Sequence, residues 1–523
     1  MTLADGTASV RATVISRASS GGAPRSRWRW RWRRIARVPV ALWLCLLVGG
    51  ANALAWAMVD PVGQGPDESA HIAEVDYIAL HGKPPNGAGV FGGEAPLLYN
   101  GLPFSQDGDP SFSPAQSQMV RRELDAAPLG STPPSYVINN PPLYYAVAAA
   151  PTRIISHANL LDRVLVMRVV SVVLCLLTIA FSFLFVREVL PAQPWAWTVG
   201  GMAVALQPVL AFMGGAVSPD DLLFASAAAL FFALSRAFRR GLTYRRAAGI
   251  GVAALAGCLT KGTMFGLLPG AAFGTLFCAW RQRDRRAVAA LGVGAASFAV
   301  PFGAWLWANT HLFSRAAAST SSGVGSGGLT KLELLRGLAS YTWQMFLPRL
   351  SGMHVQFRRF FNPVAPGVPP FPAFPQGNPF WEIYVQGFIG RFGFYQYEFP
   401  FLAEVVAGLV LAVLAALGAW FVWRMALRPR RAWGELSTYV LMVLGNFMLV
   451  TYVGYFYRHA TGGVDFEQAR YLFPLIPLYG LAVAAACRAL GRHRGRILGG
   501  VLIVLAAGHA IGAVLLTLGR FYG

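Results

Sequence analysis

Apolar residues along the chain fall in blocks separated by short breaks rich in arginine, proline or glycine. The blocks run to about 18–25 residues, long enough as helices to cross the hydrocarbon core of a bilayer. Spans are predicted near 38–59, 164–187, 195–213, 218–236, 246–260, 262–280, 287–308, 400–424, 435–457, 470–488 and 497–518. Two stretches, 60–163 and 309–398, interrupt the pattern and are too long to be simple connectors. The second opens with a flexible Ser/Gly run, Ser319 to Gly328. A surface helix is predicted next, carrying Glu333, Arg336, Ser340 and Gln344 as a polar stripe at helical spacing. A segment rich in proline and aromatics then leads to Pro400. The expected fold is an all-α polytopic membrane protein with about 11 transmembrane helices and two large extracytoplasmic loops.

Composition agrees with that pattern. Hydrophobic residues are 55% of the 523 and charged residues 13%, about half the charge of a soluble domain. The balance of 44 Lys and Arg against 23 Asp and Glu gives +21, which in a soluble chain would suggest a nucleic-acid partner. Here the arginines cluster instead in short loops between blocks: Arg25 to Arg37, Arg236 to Arg246, Arg281 to Arg286, Arg424 to Arg431 and Arg488 to Arg496. Eleven spans with a cytoplasmic N-terminus put every cluster inside, as the positive-inside rule expects. Counting 141–157 as a further span would reverse the later clusters, so it is read as a helix at the outer membrane surface. The chain divides into a basic cytoplasmic segment, 1–37, and a transmembrane domain, 38–523. The Arg/Trp run Arg27 to Arg34 is read as a topogenic anchor with interfacial tryptophans. Ala51-Asn52-Ala53 offers small residues for signal cleavage, but the apolar run before it is longer than a usual signal core. It is kept as the first span. The five cysteines all lie in apolar blocks without metal-ligand spacing and read as packing residues.

Eleven acids lie between Asp60 and Asp162, so chemistry is sought on the outer face. Gly65-Pro66-Asp67-Glu68-Ser69-Ala70-His71 follows the first span. Proline at a first helical position with acids in the first turn needs no function. Helical spacing also puts Asp67, His71 and Glu74 on one face, where a carboxylate beside a histidine suits a general base or metal ligand. Ser218-Pro219-Asp220-Asp221 opens a later helix on the same side and reads as a capping signature. Lys261, at a turn between spans, is a solvated hairpin lysine or a partner for a lipid phosphate. Arg470-Tyr471 enters the tenth span, as an interfacial anchor or a phosphate clamp. Asn140-Pro141-Pro142-Leu143-Tyr144-Tyr145 closes the first loop as a turn into an interfacial helix. His509, deep in the last span, reads as a packed residue. A P-loop, a Rossmann fingerprint and a Ser-His-Asp arrangement are absent from the sequence.

In this order the motifs resemble those of the GT-C superfamily of polyprenyl-phosphate-sugar-dependent membrane glycosyltransferases, in its bacterial branch of uncharacterised predicted membrane proteins. The resemblance rests on Pro66 to His71, Asn140 to Tyr145, Pro219-Asp220, Thr260-Lys261, Gly390-Arg391-Phe392-Gly393 with Pro400, and Arg470-Tyr471 with Pro474 and Pro477. Ala469 stands where the pattern has glycine. The resemblance covers residues 40–490 and implies inverting transfer of a sugar from a polyprenyl-phosphate donor to an extracytoplasmic glycan, lipid or protein acceptor. It implies Asp67 as the base, with Glu68 as its catalytic neighbour. His71, Asp220 and Asp221 would orient the acceptor or a metal ion, a divalent cation being the one candidate cofactor. Lys261, Arg470 and Tyr471 would hold the donor phosphate, and Asn140, Tyr144 and Tyr145 would line the substrate region of the first loop. Membrane lipid is an expected partner and nucleic acid is not. The expected location is the bacterial inner membrane. The rivals are a flippase or transporter of lipid-linked glycans, and a non-catalytic envelope-assembly protein. Transport favours ionisable residues deep in spans or a repeat between halves, and the sequence has no clear sign of either.

Overall fold

The computed structural model describes residues 39–85, 91–100, 113–138, 140–313, 330–348, 350–353, 380–393, 397–426, 431–461 and 468–523. The Arg/Trp segment, the Ser319–Gly328 run, most of the proline-rich segment and Asp465 to Glu467 lie outside them. The chain is an all-α polytopic membrane protein. Its main helices are α1 (Val40–Val59), α2 (Glu68–His81), α3 (Leu143–Thr152), α4 (Leu160–Val189), α5 (Pro194–Ala205), α6 (Pro208–Gly215), α7 (Asp220–Arg240) and α8 (Tyr244–Cys258). They continue with α9 (Leu268–Gln282), α10 (Arg285–His311), α11 (Lys331–Phe346), α12 (Phe401–Ala426), α13 (Arg431–Thr461), α14 (Ile476–Ala489) and α15 (Arg492–Tyr522). Short 3₁₀ segments, Gly262–Leu267 and Ala469–Leu475, lead into α9 and α14.

Every predicted span is helical, with two departures from the expected eleven. Among the described residues nine helices are long and apolar enough to cross a membrane, and a tenth crossing is the pair α5 and α6, bent by 54°. The bend falls at Leu206-Gln207, where Pro208 starts α6 because proline cannot continue a helix. Gln207 holds the break closed by accepting from the Leu210 N–H at 2.6 Å and donating to the Phe388 carbonyl at 2.7 Å. The eleventh segment, α8, has only 15 residues, about 22 Å of helix. It packs along α7, and the turn after it returns Lys261 to Asp220 at the head of α7.

Contacts at the helix ends define two sides. At one, Asp220 meets Lys261 and Arg470 meets Asp67. At the other, Arg240 forms a two-pronged pair with Glu188 at 2.7 Å, Arg239 meets Glu435 at 3.0 Å, and Gln282 donates to the Leu242 carbonyl at 3.2 Å. Within the bundle small residues bring backbones together, as helix packing in lipid requires. A Cβ on Gly200 of α5 would lie 2.7 Å from the Gly480 carbonyl oxygen of α14.

The first loop is a folded layer over the first side. Helix α3, left outside the membrane by the charge count, packs on α2 and α4 and buries Tyr144 and Tyr145. A two-residue antiparallel ladder pairs Gly92 with Thr132 and Gly93 with Ser131. Gly93, at φ +80°, lies so close to the Gly130 carbonyl that a side chain there would collide with it. Arg163 at the head of α4 ties the layer down by pairing with buried Asp76 and Glu94. Helix α11 begins with a capping box between Thr330 and Glu333. Its expected polar stripe divides: Glu333 and Arg336 are exposed, whereas Ser340 and Gln344 are buried against α13 and bond to each other at 3.0 Å. This helix is docked on the bundle rather than lying free on a surface.

Candidate functional site

The site is assembled at the first side from five separate parts of the chain. Between α1 and α2 the chain makes a tight turn in which Asp67 takes φ 61° and ψ 13°. The expectation of Pro66 as the first helical residue is therefore corrected: Pro66 and Asp67 form the turn, and the helix starts at Glu68. The cause is Glu68 itself. Its Oε2 accepts from the Gly63 N–H at 2.8 Å and the Gly65 N–H at 3.4 Å, pulling the preceding chain over the helix end.

Glu68 does more than shape the turn. Arg168 of α4 grips it with two hydrogen bonds of 2.9 Å, and the Val217 N–H before α7 donates to it at 3.0 Å. Arg168 also donates to the Ala57 and Asp60 carbonyls at 2.9 and 2.7 Å. Both side chains are buried. Glu68 thus joins α1, α2, α4 and the approach to α7, with both oxygens held inside the protein. Arg168 did not emerge from the sequence as a site residue, although its place within the apolar block 164–187 was a signal, since a charge at that depth needs a partner.

Asp67 faces the other way, with 38% of its side chain open. Arg470 donates to its Oδ2 at 2.7 Å and to the Pro66 carbonyl at 3.2 Å. Arg470 Nε also lies 3.8 Å from Asp220 Oδ2, and Lys261 Nζ bonds the other Asp220 oxygen at 2.7 Å. The four groups form a chain of alternating sign, Asp67, Arg470, Asp220, Lys261. The Tyr471 ring carries both cations, at 5.1 Å from Lys261 and 5.3 Å from Arg470. Burial works against ionisation of Asp67, but Arg470, with help from Lys261, outweighs it and holds the carboxyl below its ordinary value.

Of the capping signature expected at Ser218, the serine half is present. Ser218 Oγ accepts from the Asp220 N–H at 3.3 Å, while the carboxylates of Asp220 and Asp221 are used elsewhere. Asp220 turns to Lys261. Asp221 is buried on the far side, with Ser171 and Tyr144, whose hydroxyls bond at 2.9 Å. His71, one turn into α2, is buried, with Nδ1 3.0 Å from the Tyr145 hydroxyl, to which Asn140 donates at 3.3 Å. Burial pushes His71 down to about 3, so it is neutral near pH 7 and serves as a hydrogen-bonding group. Asp67, His71, Asp220, Lys261, Arg470, Tyr471, Asn140 and Tyr145 therefore share one site. Glu68 supports it from behind, and Tyr144 and Asp221 lie in a separate buried group around Ser171. His509 packs against the Phe399 ring at 4.7 Å, away from the site.

Two acids of the site for which a divalent cation would compete are already paired. Asp67 and Asp220 each carry a protein cation at 2.7 Å, and among the described residues no three His, Cys, Asp or Glu side chains converge on one point.

A family model described as Predicted membrane protein (DUF2142) matches residues 52–479, which takes in all the charged groups of the site. The chain belongs to the DUF2142 family. No curated protein matches this DUF2142 member. Among solved structures it is similar to the archaeal oligosaccharyltransferase AglB from Archaeoglobus fulgidus in complex with an inhibitory peptide and a dolichol-phosphate, at 13% identity and a TM-score of 0.44. It is likewise similar to the oligosaccharyltransferase of that organism in the apo form, again at 13% and 0.44. The matches cover 95% and 92% of this chain but 57% and 56% of those, so the chain spans little more than half their length.

Proposed function

We propose that this DUF2142 protein is an integral-membrane glycosyltransferase of GT-C type. It would move a sugar from a polyprenyl-phosphate donor to an extracytoplasmic glycan, lipid or protein acceptor, with inversion, in the bacterial inner membrane. The observation that supports this best is the meeting of Asp67, Arg470, Asp220 and Lys261 at one end of the spans. Asp67 and Arg470 stand 403 positions apart in the chain, and each lies in a motif through which the sequence resembles that superfamily.

In this reading Asp67 takes the proton of the acceptor hydroxyl as the oxygen attacks the anomeric carbon. The bond from that carbon to the phosphate oxygen breaks, and the leaving polyprenyl phosphate gains charge. Arg470 and Lys261 stabilise that charge, being already fixed at membrane depth by Asp220 and Tyr471. Neutral His71 and Tyr145 offer hydrogen bonds to the sugar or acceptor, while Glu68 positions Asp67 without touching substrate. The first part of the isoprenoid tail would lie in an apolar cavity of ≈ 610 Å³ between α5, α12 and α15. Phe388 lines that cavity and stacks near Phe473, three residues after Arg470, at 5.5 Å. No step requires a metal ion.

The test uses purified protein in nanodiscs, a panel of polyprenyl-phosphate sugars, and lipid and glycan extract from the native host as acceptor. Free polyprenyl phosphate is followed by mass spectrometry. Sugar-dependent release, lost in Asp67→Asn, is the expected result. Monodisperse wild-type protein that releases nothing from any donor would move the assignment to transport or a non-catalytic role.

A further inference from the structure

A second cavity, of ≈ 1000 Å³, lies at the end of the bundle opposite Asp67, and the proposed reaction does not use it. Its walls are apolar, formed by Phe421 and Val422 of α12, Val440 and Leu444 of α13, and Leu478 and Leu481 of α14. Val422, Val440 and Leu444 remain 39–53% exposed, so the cavity is a slot open sideways between α12 and α13. One end of the slot is polar. Arg239 meets Glu435 there at 3.0 Å, and the Tyr439 hydroxyl donates to the same carboxylate at 3.0 Å. Arg281 lines the rim, exposed, with one N–H on the Phe238 carbonyl at 2.7 Å. Arg488 lies over the Phe421 ring at 5.3 Å. Among the described residues Arg239 and Arg281 thus face Glu435 across the cavity wall, while Glu188 is taken by Arg240. Trp433, at the same end and 52% exposed, is a residue type favoured at the membrane interface.

This combination selects its ligand. A small soluble anion gains nothing from a long apolar slot, and an apolar side chain gains nothing from the guanidinium groups at its end. A lipid with a phosphate headgroup satisfies both parts at once, its charge on arginines at interfacial depth and its chain among apolar walls. We propose that the slot binds an anionic phospholipid, its phosphate held by Arg239 and Arg281 with Arg488 at the rim, and an acyl chain lying between α12 and α13. The site is independent of the transfer reaction and belongs to the opposite leaflet.

Native mass spectrometry of the full-length protein, titrated with phosphatidylglycerol or phosphatidylcholine of matched chains, tests this directly. Phosphatidylglycerol is expected to be retained more strongly. Arg281→Gln should lower its occupancy roughly fivefold and leave phosphatidylcholine unchanged. Gly418→Leu is the second variant: a Cβ at this slot-lining position meets only the Ala482 carbonyl, at 3.8 Å. Leucine there fills the slot without altering any charge, and phosphatidylglycerol retention should again fall. Equal retention of the two lipids, or phosphatidylglycerol binding unchanged in both variants, overturns the proposal. A dimer that survives lipid removal and is broken by Gly418→Leu also overturns it, assigning the slot to a second copy of the chain.

Discussion

Asp67 occupies the left-handed backbone region, which aspartate and asparagine tolerate better than most residues. Asp67→Asn therefore removes the charge while keeping the turn, whereas Asp67→Ala adds about 1–2 kcal/mol of backbone strain to the same loss. The partner of Asp67 allows a sharper test of its role. Burial alone would raise the carboxyl, and Arg470 is what holds it down. If Asp67 is the base, turnover should fall in acid only below the ordinary carboxylate range. Arg470→Gln should move that acid limb to higher pH and lower the plateau roughly 10²–10³-fold through the lost leaving-group donor. Turnover measured against pH reads both effects, and an acid limb that stays in place would exclude Asp67 as the titrating group. His71 carries the opposite kind of signal. Its imidazole, pushed by burial from 6.5 to about 3, stays neutral in the folded protein over a range where the unfolded chain takes up a proton. Stability is therefore lost as pH falls from about 6.5 toward 3, by up to ~1.4 kcal/mol per unit from this group. Thermal unfolding in detergent should decline less steeply over that range in His71→Gln than in the wild type. Identical slopes would mean that His71 titrates normally.

At the level of elements, the Glu68–Arg168 pair decides whether the turn carrying Asp67 exists. Breaking a buried pair from one side strands the other charge and costs about 3–5 kcal/mol. Arg168→Met is expected to yield little monodisperse protein, and Glu68→Gln to lose protein yield more than turnover per folded molecule. Size-exclusion profiles combined with specific activity separate these outcomes; a well-folded, inactive Glu68→Gln would return Glu68 to direct chemistry. Asp67, Asp220, Lys261 and Arg470 were legible in the sequence because each stands at the end of an apolar block, where a charge is conspicuous. Their pairing was not, since it depends on how blocks hundreds of residues apart pack. Arg168 was hidden because its partner lies 100 positions away and nothing local in the block 164–187 points to that partner. The break between α5 and α6 was missed for a similar reason: Pro208 interrupts a helix whose hydrophobicity continues undisturbed. The span pattern itself was plain, because crossing a bilayer imposes length and apolarity on every helix independently of its neighbours.

The whole molecule is polarised along the spans, and the proposed function depends on the direction of that polarity. Asp67, Asp220, Lys261 and Arg470 gather at one end, while Arg239, Arg240, Arg281 and Arg488 stand at the other with Glu188 and Glu435. The arginine-rich end should be cytoplasmic, leaving the Asp67 end, with its folded loop layer, outside. The proposed transfer depends on that orientation, because its acceptors would be met at the outer face. The described cysteines, Cys45, Cys175, Cys258, Cys278 and Cys487, are all free and buried, so a cysteine-free background should fold and take single reporters. Gln118, on the exposed side of the Pro114–Ala126 helix, and His493, at the start of α15, mark the two ends. A membrane-impermeant maleimide should label Gln118→Cys in intact spheroplasts and His493→Cys only after the membrane is opened. The reverse pattern would turn Asp67 and Arg470 toward the cytoplasm and remove the basis for an extracytoplasmic transferase. It would also place the phospholipid slot in the outer leaflet, so the same two labels constrain both ends of the molecule.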